Sequence, residues 1–453
     1  NQRLFTGGRN AVIALLCVGY TVLHLLVMNV YPLETWTYRL SHVGGGLILG
    51  YLLYGARVFD GREAKRTGAS TAVLALAAVG VLYGFAGVLA IWINGRVLGE
   101  MLPPAWAMSS FGLPLALGTA LAIVHGWAFG NESRTRFAPG DVLLAIAALS
   151  ATAYLIFFAR QLQLRAGMPM ALPGDMWAAI TGVMLIIELT RRLAGLALVI
   201  IAGVFVAYAF LGPWLPGIFQ HRGYDAKRFF SYIFTDNGIL AAPIAISSTY
   251  IILFVVFAAF LQTTRVGEYF VNLAFAAAGH KRGGPAKVAI FASGLMGMIN
   301  GTSAGNVVAT GSLTIPLMKK VGYHPRSAAG IEAAASTGGQ IVPPIMGAGA
   351  FIMAEVTGIP YTEIAIAALI PAALYFLSIY FMVDLEARRD GMSGLTKDQL
   401  PVFKEMIKQV YLFLPIIILV STLFMGYSVI RAGTLAMASA AVVSWFTPYR
   451  MGP

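Results

Sequence analysis

Charge is scarce in this chain: 11% of its 453 residues are Asp, Glu, Lys or Arg, against 58% that are hydrophobic. That balance excludes a soluble domain wrapped in a polar surface, so the solvent of most of the chain is lipid. Cysteine is almost missing. Cys17 stands alone in an apolar run, which excludes a disulfide framework and a cysteine metal site and leaves a buried small residue. The six histidines are scattered without HExxH or paired ligand spacing, so a metal-dependent enzyme has little support. A membrane-embedded lipid-modifying enzyme would need a nucleophile, an acid–base pair or a metal cluster at one interface, and no convincing set is present. The formal net charge of +12 does not indicate nucleic acid, because the basic residues occupy short connectors between apolar runs and not one face of a soluble module. That distribution is the positive-inside bias of a membrane protein.

What the chain has in quantity is apolar length. Runs at 11–30, 42–57, 70–93, 105–129, 141–158, 177–189, 196–211, 240–262, 327–357, 363–383, 411–427 and 432–445 approach or exceed the roughly 20 residues that cross a bilayer as helix. The fold class they predict is an all-α polytopic membrane protein. The first run is long enough to be a span and is followed by nothing like a cleavage site, so it reads as a span and not a signal. The chain opens on Asn1 and stops at Pro453 directly after an apolar run, which reads as a piece of a longer product. Residues 395–409 alternate apolar positions with Lys397, Asp398, Lys404, Glu405 and Lys408, the pattern of an amphipathic helix on the cytoplasmic surface or of an ordinary solvated connector. Trp92, Trp106, Trp177 and Trp214 lie near span ends, where aromatic anchors gather.

One stretch breaks the pattern. Residues 287–319 are mostly apolar but carry Gly294, Gly297, Gly301, Gly305 and Gly311, with Asn300, Thr302, Ser303, Asn306 and Thr310 in the middle. Its length is too great for one span and too small for two, and a re-entrant helical hairpin fits it. Charge parity agrees. With a hairpin that enters and leaves on one side, 23 of the 31 Lys and Arg residues fall on the cytoplasmic side; with a single crossing, only 14 do. Both termini of the chain are then cytoplasmic.

Irregular backbone survives at membrane depth only inside protein or along a wet cavity. Two such irregularities stand close together. One is the tip, Gly301-Thr302-Ser303-Ala304-Gly305-Asn306; the other is Ser336-Thr337-Gly338-Gly339-Gln340-Ile341-Val342-Pro343-Pro344, within the run 327–357. The glycine pair and the proline pair predict a helix break. Carbonyls freed at Gly338, Gly339, Ile341 and Pro343, with the hydroxyls of Ser336 and Thr337, make a set of hard oxygens facing Ser303 and Asn306. Such oxygens suit a small alkali cation, and helix ends at a break offer amides to an anion, which places a substrate near Asn306, Thr310, Pro343 and Pro344. Gly297 and Gly301 also satisfy GxxxG spacing, and for those two alone close helix packing is the favoured account. Glu332 and Glu355 flank the broken helix, and a carboxyl within the membrane raises proton coupling alongside a structural hydrogen bond as its role. Gly283-Gly284-Pro285-Ala286-Lys287 lacks the Gly-Lys-Ser/Thr ending of a phosphate loop and reads as a basic turn.

The strings "GMINGTSAGNVVATGSLTIPLMKKVGY", "AAGIEAAASTGGQIVPPIMGAGAFIMAE" and "ALIPAALYFLSIYFMVDLEARRDG" make residues 211–389 resemble the large permease of tripartite ATP-independent periplasmic (TRAP) transporters, in the fused form that works with TAXI-type binding proteins. Residues 1–210, with "YRLSHVGGGLILGYLLYGARVFDG" among them, resemble the small membrane subunit fused ahead of it; the spans at 70–93 and 105–129 look additional to that pattern. The resemblance implies an elevator-type importer of small organic carboxylates, driven by a cation gradient, usually sodium (Na+), and fed by a periplasmic TAXI-type substrate-binding protein. It assigns Ser303 and Asn306 to the first hairpin tip, and Ser336 to Pro344 to the broken helix that completes one sodium site. It also implies domains at 1–210, 211–394 and 395–453, in the inner membrane. The family has two inverted repeats, of which the hairpin 287–319 and broken helix 327–357 form the first. No second glycine-rich hairpin follows residue 392, so this chain is expected to hold about half of the transport site. A passive channel is the remaining alternative.

Overall fold

The computed structural model describes residues 2–59, 67–100, 102–129, 134–168, 171–396, 398 and 400–446. Among the described residues every regular element is helical, apart from one isolated antiparallel bridge between Gln2 and Tyr54. Seven helices in this set are long and apolar enough to cross a membrane: Gly8–Asn29, Gly68–Leu98, Ala105–Phe129, Pro139–Phe157, Leu196–Trp214, Ala242–Thr263 and Tyr361–Arg389. The protein is thus an all-α, multi-spanning membrane fold. The run at 177–189 is the core of a longer helix, Pro173–Ala194, while the run at 42–57 is displaced: its helix is Thr35–Leu53, starting seven residues earlier with Arg39 in it and ending at the extended Tyr54. Val266–Ala278 is a helix that the hydropathy pattern did not predict; Arg265, at φ 56, separates it from the preceding span.

Contacts divide the chain into two compact units, Asn1–Leu23 with Tyr31–Ala245, and His24–Val30 with Ile246–Pro453. Within the first unit the helix Ala226–Ile233 packs on Pro173–Ala194, and Phe234 is buried against Gly182.

In the first unit the core is apolar through its middle, with Leu40, Tyr51, Leu115, Leu144, Tyr154 and Leu185 wholly buried. The helices Gly68–Ile93 and Leu113–Phe129 meet backbone on backbone: a β-carbon on Gly118 would lie 2.6 Å from the amide nitrogen of Val81. One end of this unit holds a buried ionic network. Asp141 accepts from Arg3 at 2.5 Å and Arg192 at 2.7 Å, while Glu188 accepts from Arg191 and Arg192, both at 2.8 Å. Arg3 and Arg192, loop charges by their sequence positions, are therefore interior groups neutralised by carboxylates.

The second unit contains the hairpin and the broken helix. Its first arm, Gly284–Asn300, opens with Pro285 in the first turn, where a missing N–H costs nothing. Gly301 ends it at φ 60, and a β-carbon there would lie 2.4 Å from the Met346 carbonyl oxygen, so only glycine fits both the turn and the neighbour. Thr302 then caps the second arm, Ser303–Lys320, its hydroxyl oxygen accepting from the Gly305 amide at 3.1 Å. The arms run antiparallel, Asn306 facing Ser293 across them. Both reach one turn or less beyond the expected limits of 287 and 319. The discontinuous helix is Pro325–Gly338, a tight turn Gly339–Ile341, an extended Val342, a cis Pro343–Pro344 bond, Met346 at φ 58, and Ala348–Thr357. Beyond residue 392, among the described residues, the predicted surface helix is α-helical only over Phe403–Lys408. Leu395 is buried instead, its amide bonded to the Gly279 carbonyl at 2.9 Å, and Gly394 lies against the backbone of His280 and Lys281.

Candidate functional site

The hairpin and the broken helix meet through a column of polar side chains with no access to solvent. Ser293 on the first arm, Asn306, Thr310 and Thr314 on the second, and Glu332 and Ser336 on the inner half-helix are each at most 1% exposed. Residues four apart share a helix face, so 306, 310 and 314 form one ladder and 332 and 336 the facing pair. The ladder converges on one carboxyl group. Glu332 Oε1 accepts from Ser293 at 3.1 Å, from Ser336 at 3.2 Å and from Thr310; Oε2 accepts from Thr314. Among the described residues no Lys or Arg pairs with Glu332. The nearest basic group along the first arm, Lys287, is bound to Asp384 at 2.5 Å and lies over the Tyr380 ring.

Toward the tip, the Asn306 amide nitrogen donates to the Ser293 carbonyl at 2.8 Å, while its Oδ1 is buried with no hydrogen-bond partner. The break approaches this point closely. A β-carbon on Gly339 would lie 2.9 Å from Asn306 Nδ2 and 2.8 Å from the Gly297 α-carbon. At the tip itself Gln340 Nε2 stands 3.4 Å from Ser303 Oγ, and the Gly347 amide closes the break by donating to the Gln340 carbonyl at 2.7 Å.

The structure brings together Asn306, Thr310, Glu332, Ser336, Gly338 and Gly339 from the residues singled out in the sequence. Ser303 belongs to the more open rim. Thr337 is exposed and donates back to the Ala333 carbonyl of its own helix at 2.8 Å. Ile341 and Pro343 are half-buried, and Pro343 lines an apolar hollow with Ile290, Phe291 and Phe376. The Pro344 carbonyl accepts from the Tyr361 hydroxyl at 2.7 Å. Glu355 is exposed and lines a separate hollow of about 400 Å3 with Tyr250, Tyr361 and Tyr427. Two members of the polar column, Ser293 and Thr314, were not singled out; the four-residue spacing of 306, 310 and 314 was the signal for the second. Tyr361 had no sequence signal, because its role depends on the tertiary placement of the break.

A multi-spanning helical fold with a discontinuous helix buried against a helical hairpin defines a polytopic membrane protein built around a polar centre. Residues 181–452, more than half of the chain, match the family described as tripartite ATP-independent periplasmic transporter, DctM component, and the chain belongs to that family. It is similar to the C4-dicarboxylate TRAP transporter large permease protein DctM of Vibrio cholerae, 29% identical over 208 residues, 44% of this chain and 44% of that protein. It is similar also to the protein of the same description from Pseudomonas aeruginosa, 28% identical over 195 residues, 43% of this chain and 45% of that one. The matched stretches thus span about half the length of these relatives.

Proposed function

We propose that this chain forms the hairpin and broken-helix part of a cation-coupled secondary importer, with sodium as coupling ion and cargo and a small organic carboxylate as substrate. The observation that carries the reading is Asn306 Oδ1: a wholly buried amide oxygen without a partner, at the junction of two backbone discontinuities. A buried acceptor left unmatched costs about 1–3 kcal/mol, and a small hard cation relieves that cost. Asn306, the Ser336 hydroxyl and the backbone of Gly338 and Gly339 are the groups assigned to it, with Ser303, Thr337, Ile341 and Pro343 at the periphery. Thr310 directs its hydroxyl to Glu332, so the substrate anion belongs on the open side of the tip, between Ser303, Gln340 and the Pro343–Pro344 turn, away from that carboxyl group.

The family match supports a periplasmic binding protein as partner, and the names of the two relatives support a carboxylate as the substrate class. The sequence resemblance supports the finer points: a TAXI-type binding protein, a small-subunit-like segment at 1–210, a re-entrant hairpin, elevator movement, and both termini of this chain on the cytoplasmic side. The test is uptake of a labelled dicarboxylate into proteoliposomes that contain the full-length transporter and its binding protein. An inward sodium gradient is required on this reading. Uptake that ignores sodium and follows a pH gradient would transfer coupling to Glu332, a second reading favoured by the four hydroxyls that converge on that carboxyl group. Exposed Glu355 has no comparable support.

A further inference from the structure

The first unit contains a cavity of about 650 Å3 where the ends of Thr35–Leu53, Gly68–Ile93 and Pro139–Phe157 converge. Its lining is apolar where it is buried, with Ile91 and Phe158, and half-buried at Leu102, Phe157 and Leu172; exposed Leu33, Arg96, Arg160 and Glu100, with half-buried Glu34, form its rim. Arg96 sits in the wide helical turn Asn94–Leu98, with its guanidinium 5.4 Å from the centre of the Phe157 ring. Phe157 is seated there by Gly95, where a β-carbon would lie 2.6 Å from the ring. A guanidinium held on an aromatic face is fixed in place while its N–H groups stay free for an anion.

The charges on the rim are not equivalent. Glu34 is consumed as a helix cap: it accepts from the amides of Trp36 and Thr37 at 2.9 and 2.8 Å, from the Thr37 hydroxyl at 2.9 Å and from Gln163 at 2.8 Å. Burial pushes its carboxyl group up, but these four bonds outweigh burial and hold it below its ordinary range. Among the described residues Arg96 and Arg160 make no ion pair with any carboxylate, and Glu100 pairs with no cation. Two guanidiniums and one carboxylate are therefore left over an apolar floor. The cavity lies at helix ends, and Trp92 and Tyr31 stand exposed close by in sequence to lining residues Ile91 and Leu33, as aromatic residues do at the depth of lipid headgroups.

We propose that this cavity binds an aminophospholipid of the phosphatidylethanolamine class. The phosphate lies on Arg96 and Arg160, the ammonium faces Glu100, and the acyl chains follow Ile91, Leu102 and Phe157. A bidentate guanidinium matches a phosphate, and a carboxylate favours a primary ammonium over a trimethylated one, which cannot donate hydrogen bonds. The helix Gly68–Ile93, additional to the small-subunit pattern by sequence, thereby gains a role.

The test is native mass spectrometry of the whole protein in mild detergent, titrated with dioleoylphosphatidylethanolamine, the matching phosphatidylcholine and the matching phosphatidylglycerol. One phosphatidylethanolamine is retained per chain in preference to the other two. Arg96→Gln with Arg160→Gln weakens retention about tenfold or more, the effect of losing hydrogen bonds between charged groups. Glu100→Gln keeps phospholipid binding but loses the preference for ethanolamine, and this single rim change provides a second reading should the double variant fail to fold. Equal retention of the three lipids by the unaltered protein, or undiminished retention by a folded double variant, overturns the proposal. So does retention of soluble glycerophosphoethanolamine equal to that of the lipid, which would make the ligand a soluble phosphoester.

Discussion

A β-carbon on Gly297 would lie 2.2 Å from the α-carbon of Gly339, so the first hairpin arm and the break in the helix touch backbone to backbone. No side chain intervenes that could move aside. Gly297→Ala therefore forces the two discontinuous elements apart, at a cost of about 1–3 kcal/mol, the usual range for overpacking. One turn earlier, Gly294 has only the Phe376 ring within reach, at 3.6 Å, which is ordinary contact. Substrate uptake by the full-length transporter should be lost in Gly297→Ala and retained in Gly294→Ala. Equal activity of the two variants would dismiss the close approach as a functional constraint.

The four hydroxyls around Glu332 predict a measurable coupling. Thr314 donates to Oε2, and Ser293, Thr310 and Ser336 converge on Oε1. Glu332→Ala leaves four buried hydroxyls to find new partners, which costs more than removal of any one of them. In a double-mutant cycle of Thr314→Val and Glu332→Ala, followed by thermal unfolding in detergent, the two changes should be sub-additive by about 1 kcal/mol. Additive losses would mean that the pair does not interact in the folded protein.

Much of this centre follows from local rules that a sequence displays. Gly338, Gly339, Pro343 and Pro344 break a helix wherever they stand, and Gly301-Thr302 joins two helices because one residue takes positive φ and the next caps. Asn306 and Glu332 are polar in apolar runs, which drives them to partners. Hydropathy does not show which face of a helix is turned inward. Thr337 follows Ser336 directly yet lies on the outer face, one residue being a rotation of about 100°. The Pro344 carbonyl is met by Tyr361, 17 residues on, and Asp141 meets Arg3 and Arg192 across 138 and 51 residues, whereas Glu188 and Arg192 are an i,i+4 pair on one helix.

The links from Asp141 to Arg3 and Arg192 are legible only in three dimensions, and they predict a large asymmetry. Asp141 is 3% exposed and lies between the guanidiniums of Arg3 and Arg192. Asp141→Ala leaves buried Arg3 without its carboxylate and Arg192 with Glu188 alone. Breaking a buried pair in this way costs about 3–5 kcal/mol. The exposed pair Arg265–Glu268, at 3.4 Å, should lose less than about 1 kcal/mol on Glu268→Ala. Thermal unfolding of both variants in the same detergent separates the two cases, and a comparable small shift in each would show that the network carries little stability.

The unpartnered oxygen of Asn306 makes the coupling ion testable without transport. If sodium binds the folded protein and not the unfolded chain, raising it to about 100 times its dissociation constant stabilises by about 2.7 kcal/mol. The midpoint of thermal unfolding should rise in sodium relative to an equal concentration of potassium. Asn306→Ala removes Oδ1 together with the bond from Nδ2 to the Ser293 carbonyl, so it lowers the midpoint in both salts and should abolish the difference between them. Ser303→Ala, at the open rim, should preserve most of that difference. A sodium effect that survives Asn306→Ala would place the cation elsewhere. A protein equally stable in both salts, with uptake that follows pH, would leave the buried carboxyl group of Glu332 as the coupling group.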